Sequence, residues 1–127
     1  MKQHRGHLLL VEDEMVIALN ESRILTDAGY RVSLATSGEE AIGLVDADPS
    51  LGAVLLDLDL GAGVSGAQAA KVMRAIRPAM PIIFLTTYDP KQILHDLDGL
   101  EGCPHLLKSA GGAAIVAALE EILAAVP

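Results

Sequence analysis

Apolar residues follow two rhythms along this chain. Five short runs are continuously apolar: Leu8–Val11, Val32–Ala35, Ala53–Leu56, Ile82–Leu85 and Leu106–Leu107. Runs of that length between polar and turn-forming residues predict strands buried on both faces. Between them the apolar positions recur at helical spacing. Near the C-terminus, Ile115, Val116, Leu119, Ile122, Leu123 and Val126 fall at i, i+1, i+4, i+7, i+8 and i+11, a single stripe down one side of a helix. Helix starts are marked by chemistry. Ser37-x-x-Glu40 and Ser65-x-x-Gln68 read as capping boxes, and Asp89-Pro90 places an acceptor and then a proline at the start of a fourth helix. Gly29, Pro49, Pro78 and Gly99 supply stops. The β-α alternation, repeated five times, predicts a parallel sheet covered by helices on both faces. No repeat, low-complexity stretch or linker interrupts it, so residues 1–127 read as one domain.

Composition narrows the possibilities. The chain has 127 residues, 51% of them hydrophobic and 20% charged, which suits a globular fold. With no Trp, one Phe and two Tyr, the core must be aliphatic, and base-stacking platforms are lacking. A net charge of −8 argues against binding a nucleic-acid backbone and leaves room for a cation site. The lone Cys103 cannot close an intrachain disulfide, which fits a reducing compartment, and it reads as a small buried hydrophobe. The apolar stretch Leu8–Val11 is too short for a signal peptide, and no run approaches the roughly 18 apolar residues of a membrane span. A soluble, cytoplasmic protein is expected.

Open α/β sheets bind ligands beyond the carboxyl ends of their strands. Those ends carry Glu12-Asp13-Glu14 after the first strand, Asp57 after the third, Thr86-Thr87 after the fourth and Lys108 after the fifth. Thr36-Ser37, after the second, looks like a helix cap. Converging carboxylates repel one another, and a hard divalent ion such as Mg²⁺ or Mn²⁺ relieves the repulsion. An aspartate beside such an ion can attack a phosphoryl group while a hydroxyl (Thr86) and an ammonium (Lys108) hold the remaining oxygens. Singly, each residue has a plainer reading: a solvated acidic run or a helix N-terminus for Glu12-Asp13-Glu14, a turn former for Thr86, a surface charge for Lys108. Asp57 resists that treatment, because it directly follows Val54-Leu55-Leu56. The set is stronger than its members, since each ends a different predicted strand.

The stretch Leu55–Gly66, "LLDLDLGAGVSG", admits two other readings. Asp57-Leu-Asp59 resembles the Asp-x-Asp of an aspartyl-phosphate phosphatase, with Asp57 as nucleophile and Asp59 as general acid/base. That superfamily, however, carries the motif on its first strand with its acidic pair downstream. Gly61-Ala-Gly63-Val-Ser-Gly66-Ala67 matches the dinucleotide fingerprint, but those glycines should directly follow the first strand. Two βα units precede them here, so they read as a tight loop.

"LLLVEDE", "AVLLDLDL", "PIIFLTTYD" and "HLLKS" resemble, in order and spacing, the signature blocks of the two-component response-regulator receiver domain, over essentially the whole chain. The resemblance implies a flavodoxin-like sheet of strand order 2-1-3-4-5 with five helices. It implies Mg²⁺-dependent transfer of a phosphoryl group from the phosphohistidine of a histidine kinase or histidine phosphotransfer protein to an aspartate. The domain would be a phosphoacceptor in signalling, acting as an enzyme only on its own phosphorylation and dephosphorylation. Carried over by position, Asp57 is the acceptor, Asp13 and Asp57 are metal ligands, Glu12 acts through water and Asp59 through its backbone carbonyl. Thr86 becomes the switch hydroxyl, and Lys108 pairs with the phosphoryl oxygens. Asp59, Thr87 and Tyr88 fall where resembling proteins tune phosphoryl lifetime. His105 takes the place of an aromatic switch residue, its plainer reading being a strand-edge histidine without a role. The signal would leave through the surface formed by the fourth helix, fifth strand and last helix, toward a protein effector, an attached output domain or a second copy.

Three positions depart from the family pattern. Gly61-Ala-Gly63 replaces a proline commonly found after the acceptor, which should loosen that loop. Thr87 is bulkier than the usual small residue. Ser109 replaces the proline that follows the lysine, so the Lys108–Ser109 bond is either trans with a redrawn loop or cis and strained. No reacting group is lost, so a competent receiver is expected over a phosphorylation-independent interaction module. With no output segment after Pro127, the chain reads either as a stand-alone regulator or as a receiver cut from a larger protein.

Overall fold

The computed structural model describes residues 6–60, 63–87, 100 and 102–125. The strands are β1 (His7–Val11), β2 (Arg31–Ala35), β3 (Ala53–Asp57), β4 (Ile82–Thr86) and β5 (His105–Leu107). The helices are α1 (Met15–Asp27), α2 (Gly38–Ala47), α3 (Gly66–Ile76) and α4 (Gly112–Ala124), the last preceded by a 3-10 turn at Lys108–Ala110. All strand pairs are parallel, in the order β2-β1-β3-β4-β5. The helix predicted to open at Asp89-Pro90 lies outside the described residues, as do Tyr88 and the stop at Gly99.

Strand alternation divides the aliphatic core between two faces. Leu9, Val11, Val54, Leu56, Ile82 and Phe84 pack under Ala41 and Val45 of α2 and Ala69, Ala70 and Met73 of α3. Leu8, Leu10, Leu55, Ile83 and Leu85 pack with Leu25 of α1 and Leu119 of α4. The strands start up to a residue earlier than the apolar runs, at His7, Arg31 and His105, because parallel ladders bond through the backbone and accept polar side chains at their ends.

The caps separate two cases that look alike in sequence. At Ser65 the box is reciprocal: Gln68 N–H donates to Ser65 Oγ at 3.1 Å, and Ser65 N–H donates to the Gln68 side chain at 3.0 Å. At Ser37 only half the expected box forms. Glu40 N–H donates to Ser37 Oγ at 3.1 Å, but the Glu40 carboxylate accepts instead from Thr36 N–H at 2.7 Å. The shifted bond ties α2 to the end of β2. Cys103 is buried as expected, with Arg74 donating to its sulfur at 3.2 Å.

Candidate phosphoryl-transfer site

The register brings the strand ends together as a staircase. Val11 pairs with both Ala35 and Leu56, which sets Glu12 beside Asp57; Asp57 pairs with Leu85, and Thr86 with Leu107. Thr86 and Lys108 therefore stand one step further along, each just where its ladder ends. The backbone bonds that fix this edge are Glu12 N–H to Ala35 O and Leu58 N–H to Leu85 O, both 3.0 Å. Glu12, Asp57 and Thr86 are buried, although each belongs to a residue type that prefers water, while Asp13 is exposed.

Glu12, Asp13 and Asp57 each offer a carboxylate oxygen, all within 4.8 Å of one another. Lys108 reaches across from beyond β5. Its Nζ lies 2.6 Å from Glu12 Oε2 and 2.9 Å from Asp57 Oδ2. The other oxygen of Asp57, Oδ1, accepts from Asp59 N–H at 2.9 Å. Asp59 thus meets the acceptor through its backbone, and its side chain is exposed, which gives no support to a general acid/base role.

The electrostatics are unbalanced. Burial pushes the Glu12 carboxyl up to about 7; the Lys108 contact pulls it back only in part, and the charge of Asp57 pushes the same way as burial. Burial works against the charge of Lys108, yet its hydrogen bonds to Glu12 and Asp57 and their charges outweigh it and hold the ammonium well above the usual lysine range. One ammonium between two buried carboxylates, with a third close by, leaves an acid surplus. Hard oxygen donors at this spacing fit Mg²⁺ or Mn²⁺, which take one or two carboxylates with water and phosphate oxygens. They do not suit softer metals, which favour nitrogen and sulfur ligands.

The glycine-rich stretch is built for close approach. A Cβ on Gly66 would come within 2.5 Å of the Asp57 carbonyl oxygen and 2.8 Å of Leu58 Cα. Only glycine lets the N-terminus of α3 lie against the end of β3, which holds Asp57 at the rim. Gly63 has φ +92, and Val64 N–H donates to Glu39 of α2 at 3.1 Å. The loop expected to be loose is therefore anchored at this point, while Gly61 and Ala62 lie outside the described residues.

Lys108–Ser109 is trans, and the 3-10 turn follows directly, ending at Gly111 with φ +90. Of the two expected alternatives, the bond takes the trans one. Thr87 is exposed. His105 is half-buried against Phe84, ring centroids 5.2 Å apart, with Nε2 buried and lacking a partner among the described residues. Burial holds its pKa below the ordinary histidine value, outweighing the bond to the Cys103 backbone. One titratable group near the site escaped the sequence reading: Glu21 of α1, half-buried, whose carboxyl burial pushes above the usual carboxylate range.

The geometry defines a class: a doubly wound α/β protein with an acidic pocket and a lysine at the carboxyl edge of its sheet. Comparison with known proteins is more specific. The sequence profile described as the response regulator receiver domain matches residues 8–120. The two-component response regulator PprB of Pseudomonas aeruginosa is 31% identical over 87 residues, covering 67% of this chain and 32% of that protein. The transcriptional regulatory protein YkoG of Bacillus subtilis is 35% identical over 85 residues, covering 67% of this chain and 36% of that one. The chain thus spans about a third of the length of these relatives. Among solved structures, a response regulator receiver protein from Sinorhizobium medicae superposes with a TM-score of 0.85 at 28% identity, covering 96% of this chain and 97% of the other. The N-terminal domain of a response regulator/sensory box/GGDEF protein from Carboxydothermus hydrogenoformans gives 0.83 at 28% identity, covering 91% and 92%. The chain belongs to the response regulator receiver domain family, the signalling domains of two-component systems.

Proposed function

We propose that this receiver accepts a phosphoryl group on Asp57 from the phosphohistidine of a histidine kinase or histidine phosphotransfer protein, with Mg²⁺ or Mn²⁺ as cofactor. The observation that carries the reading is the convergence of Glu12, Asp13, Asp57 and Lys108 at one sheet edge. Asp13 and Asp57 would hold a divalent ion, with Glu12 acting through water and Asp59 through its carbonyl, and the ion would neutralise charge on the phosphoryl oxygens. An Asp57 carboxylate oxygen attacks phosphorus in line, the P–O bond forms as the P–N bond breaks, and the imidazole leaves with the bonding pair. Asp59 N–H holds Asp57 Oδ1 and so orients the nucleophile. Lys108, already 2.9 Å from Asp57 Oδ2, is placed to transfer its hydrogen bond to a phosphoryl oxygen.

Thr86 is the switch hydroxyl that moves toward the phosphoryl group, and His105 follows into the space it leaves. The ring tilted against Phe84 with a depressed pKa suits that movement, because a neutral imidazole is more easily buried than a charged one. Asp59, Thr87 and Tyr88 tune the lifetime of the phosphorylated state. The output face is formed by β5, α4 and the helix predicted after Asp89-Pro90, and it serves a protein effector, an attached output domain or a second copy. Met15, Val16 and Leu19 of α1 are exposed just beyond Asp13, an apolar patch that supports a protein, not a free metabolite, as phosphoryl donor. Among the described residues no helix is long and apolar enough to cross a membrane, and we assign the domain to the cytoplasm as one folding unit over residues 1–127.

The test is incubation with acetyl phosphate, with and without Mg²⁺. A mass gain of one phosphoryl group, mapped to Asp57 and dependent on Mg²⁺, is expected. Its absence, with the fold intact, would leave a receiver-like interaction module that works without phosphorylation.

A further inference from the structure

The N-termini of α2 and α3 meet beside the acceptor, and the contact is shaped from both sides. On the α2 side Gly38 is buried, and a Cβ there would lie 3.1 Å from Val64 O and 3.2 Å from Ala69 Cβ. The next residue, Glu39, is exposed and turns its carboxylate onto the segment that enters α3, where Oε1 accepts from Val64 N–H at 3.1 Å. On the α3 side a Cβ on Gly63 would come 2.8 Å from Glu39 Oε2 and 3.1 Å from Oε1, so it would displace the carboxylate. The turn therefore leaves open the space that Glu39 fills. Capping does not explain this bond. Ser37 Oγ already accepts from Glu40 N–H, and the Glu40 carboxylate is engaged with Thr36 N–H. The helix dipole favours an acid in the first turn of α2, but not its aim at a backbone amide 25 residues away.

What Val64 leads to gives the bond its consequence. It precedes Ser65, the N-cap of α3, and Gly66, the first residue of that helix, which lies against the end of β3. The absent Cβ of Gly66 would fall 2.5 Å from Asp57 O, so the entry of α3 and the acceptor touch through backbone alone. Asp59, whose N–H holds Asp57 Oδ1 at 2.9 Å, lies on the connection between those two points. Fixing Val64 fixes Gly66 against Asp57, and with it the end of the strand from which Asp59 N–H reaches back. We propose that Glu39 is a positioning residue of the phosphorylation site, pinning the entry of α3 so that the Asp57 carboxylate keeps the orientation from which it attacks. The inference rests on the function proposed above and adds a residue that the strand-end pattern does not contain. Glu39 touches neither the phosphoryl group nor the cation; it acts through Val64.

The test compares the full chain as wild type, Glu39→Ala and Glu39→Gln, labelled at saturating Mg²⁺ over a range of acetyl phosphate concentrations. Because Glu39 is exposed, neither variant disturbs the core. Glu39→Ala removes the acceptor for Val64 N–H, and one such hydrogen bond converts to roughly a 2- to 12-fold effect, so the maximal labelling rate should fall about fivefold. The half-saturating acetyl phosphate concentration should stay as in the wild type, since the contact orients the nucleophile and does not bind the donor. Glu39→Gln keeps an acceptor oxygen without the charge and should label within about twofold of the wild type, which separates positioning from electrostatics. In amide NMR spectra of the unphosphorylated chains, the Asp59 and Gly66 signals should move in Glu39→Ala and hold in Glu39→Gln, a change that general loss of stability would not produce. A wild-type maximal rate in Glu39→Ala, a Glu39→Gln chain as slow as Glu39→Ala, or unmoved Asp59 and Gly66 signals in Glu39→Ala overturns the inference alone. A wild-type chain that takes up no phosphoryl group overturns the function proposed for the site and this inference with it.

Discussion

The two ends of β1 bury polar side chains in opposite ways. At its start, His7 is buried and fully satisfied: Nδ1 lies 2.8 Å from Ser50 Oγ, and Nε2 lies 2.7 Å from Ser33 Oγ. Ser50 Oγ gives its only proton to Asp48 Oδ1 at 2.6 Å, so it must accept from Nδ1–H. Hydrogen bonds from Ser50 hold Asp48 below the usual carboxylate range, as befits the acceptor at the end of this chain. At the other end, four residues beyond Leu8, Glu12 meets Asp57 and Asp13 with a single lysine among them. One end is a closed network that ties β1 to β2 and to the segment before β3. The other is a conflict that the fold does not resolve by itself. A polar group buried and satisfied serves stability; acids that outnumber their one cation are the kind of cluster found at functional sites.

The largest expected effect is on chemistry at the unsatisfied end. Asp57→Asn preserves shape and removes the nucleophile, so it should abolish phosphoryl incorporation while the circular dichroism stays native; an equal adduct on the mutant by intact-mass analysis would move the acceptor elsewhere. Next comes Lys108→Ala, which leaves two buried carboxylates without their cation. Removing one partner of such a pair costs roughly 3–5 kcal/mol, and urea unfolding in Mg²⁺-free buffer should show a loss of that order, partly recovered by Mg²⁺. An unchanged midpoint would mean that the lysine is not holding the pair together.

The acid conflict should also appear in pH dependence. The folded Glu12 carboxyl, at about 7, binds its proton more tightly than the unfolded one near 4.5, so its contribution is full below 4.5 and is lost as pH rises through 7. Against a Glu12→Gln reference, the metal-free wild type should lose stability across that window, by no more than about 3 kcal/mol. A flat difference between the two would contradict the assignment.

At the satisfied end, His7→Leu takes away the partner of the half-buried Ser33 hydroxyl and one bond of Ser50 and should cost roughly 1–3 kcal/mol, while phosphorylation from acetyl phosphate proceeds at the wild-type rate. A slowed reaction would show that the two ends are coupled and would blur the contrast. Smallest is Asp59→Asn, expected to change the phosphoryl half-life by about threefold, roughly 0.65 kcal/mol in barrier height. A half-life equal to wild type would remove that exposed carboxylate from the mechanism.

Much of this was legible in the sequence, for physical reasons that also explain the gaps. Strands buried on both faces announce themselves as apolar runs, so β1 to β5 were located to within a residue, and the first polar residue after each run gave Glu12, Asp57, Thr86 and Lys108. The sheet and its order 2-1-3-4-5 agree with expectation. The His7 network was not visible, because it joins residues from three separate elements that no spacing rule connects. Glu21 was missed for a different reason. Its position in an inward stripe can be read from Ile17, Ala18, Ile24, Leu25 and Ala28, but a charged residue there reads as a break in the apolar pattern, not as a buried group. The half-formed box at Ser37 shows the limit of motif reading, since Thr36 N–H competes for the same carboxylate.

The central claim is that the conflict at the carboxyl end of β1 exists for a divalent cation, and urea unfolding with and without Mg²⁺ tests it most directly. Binding to the folded state alone stabilises by RT ln(1 + [L]/Kd), about 2.7 kcal/mol at a hundredfold excess over Kd. The wild type and His7→Leu should both gain stability of this kind, and Asp13→Ala should not. An equal Mg²⁺-dependent gain in Asp13→Ala, or none in the wild type, would contradict it.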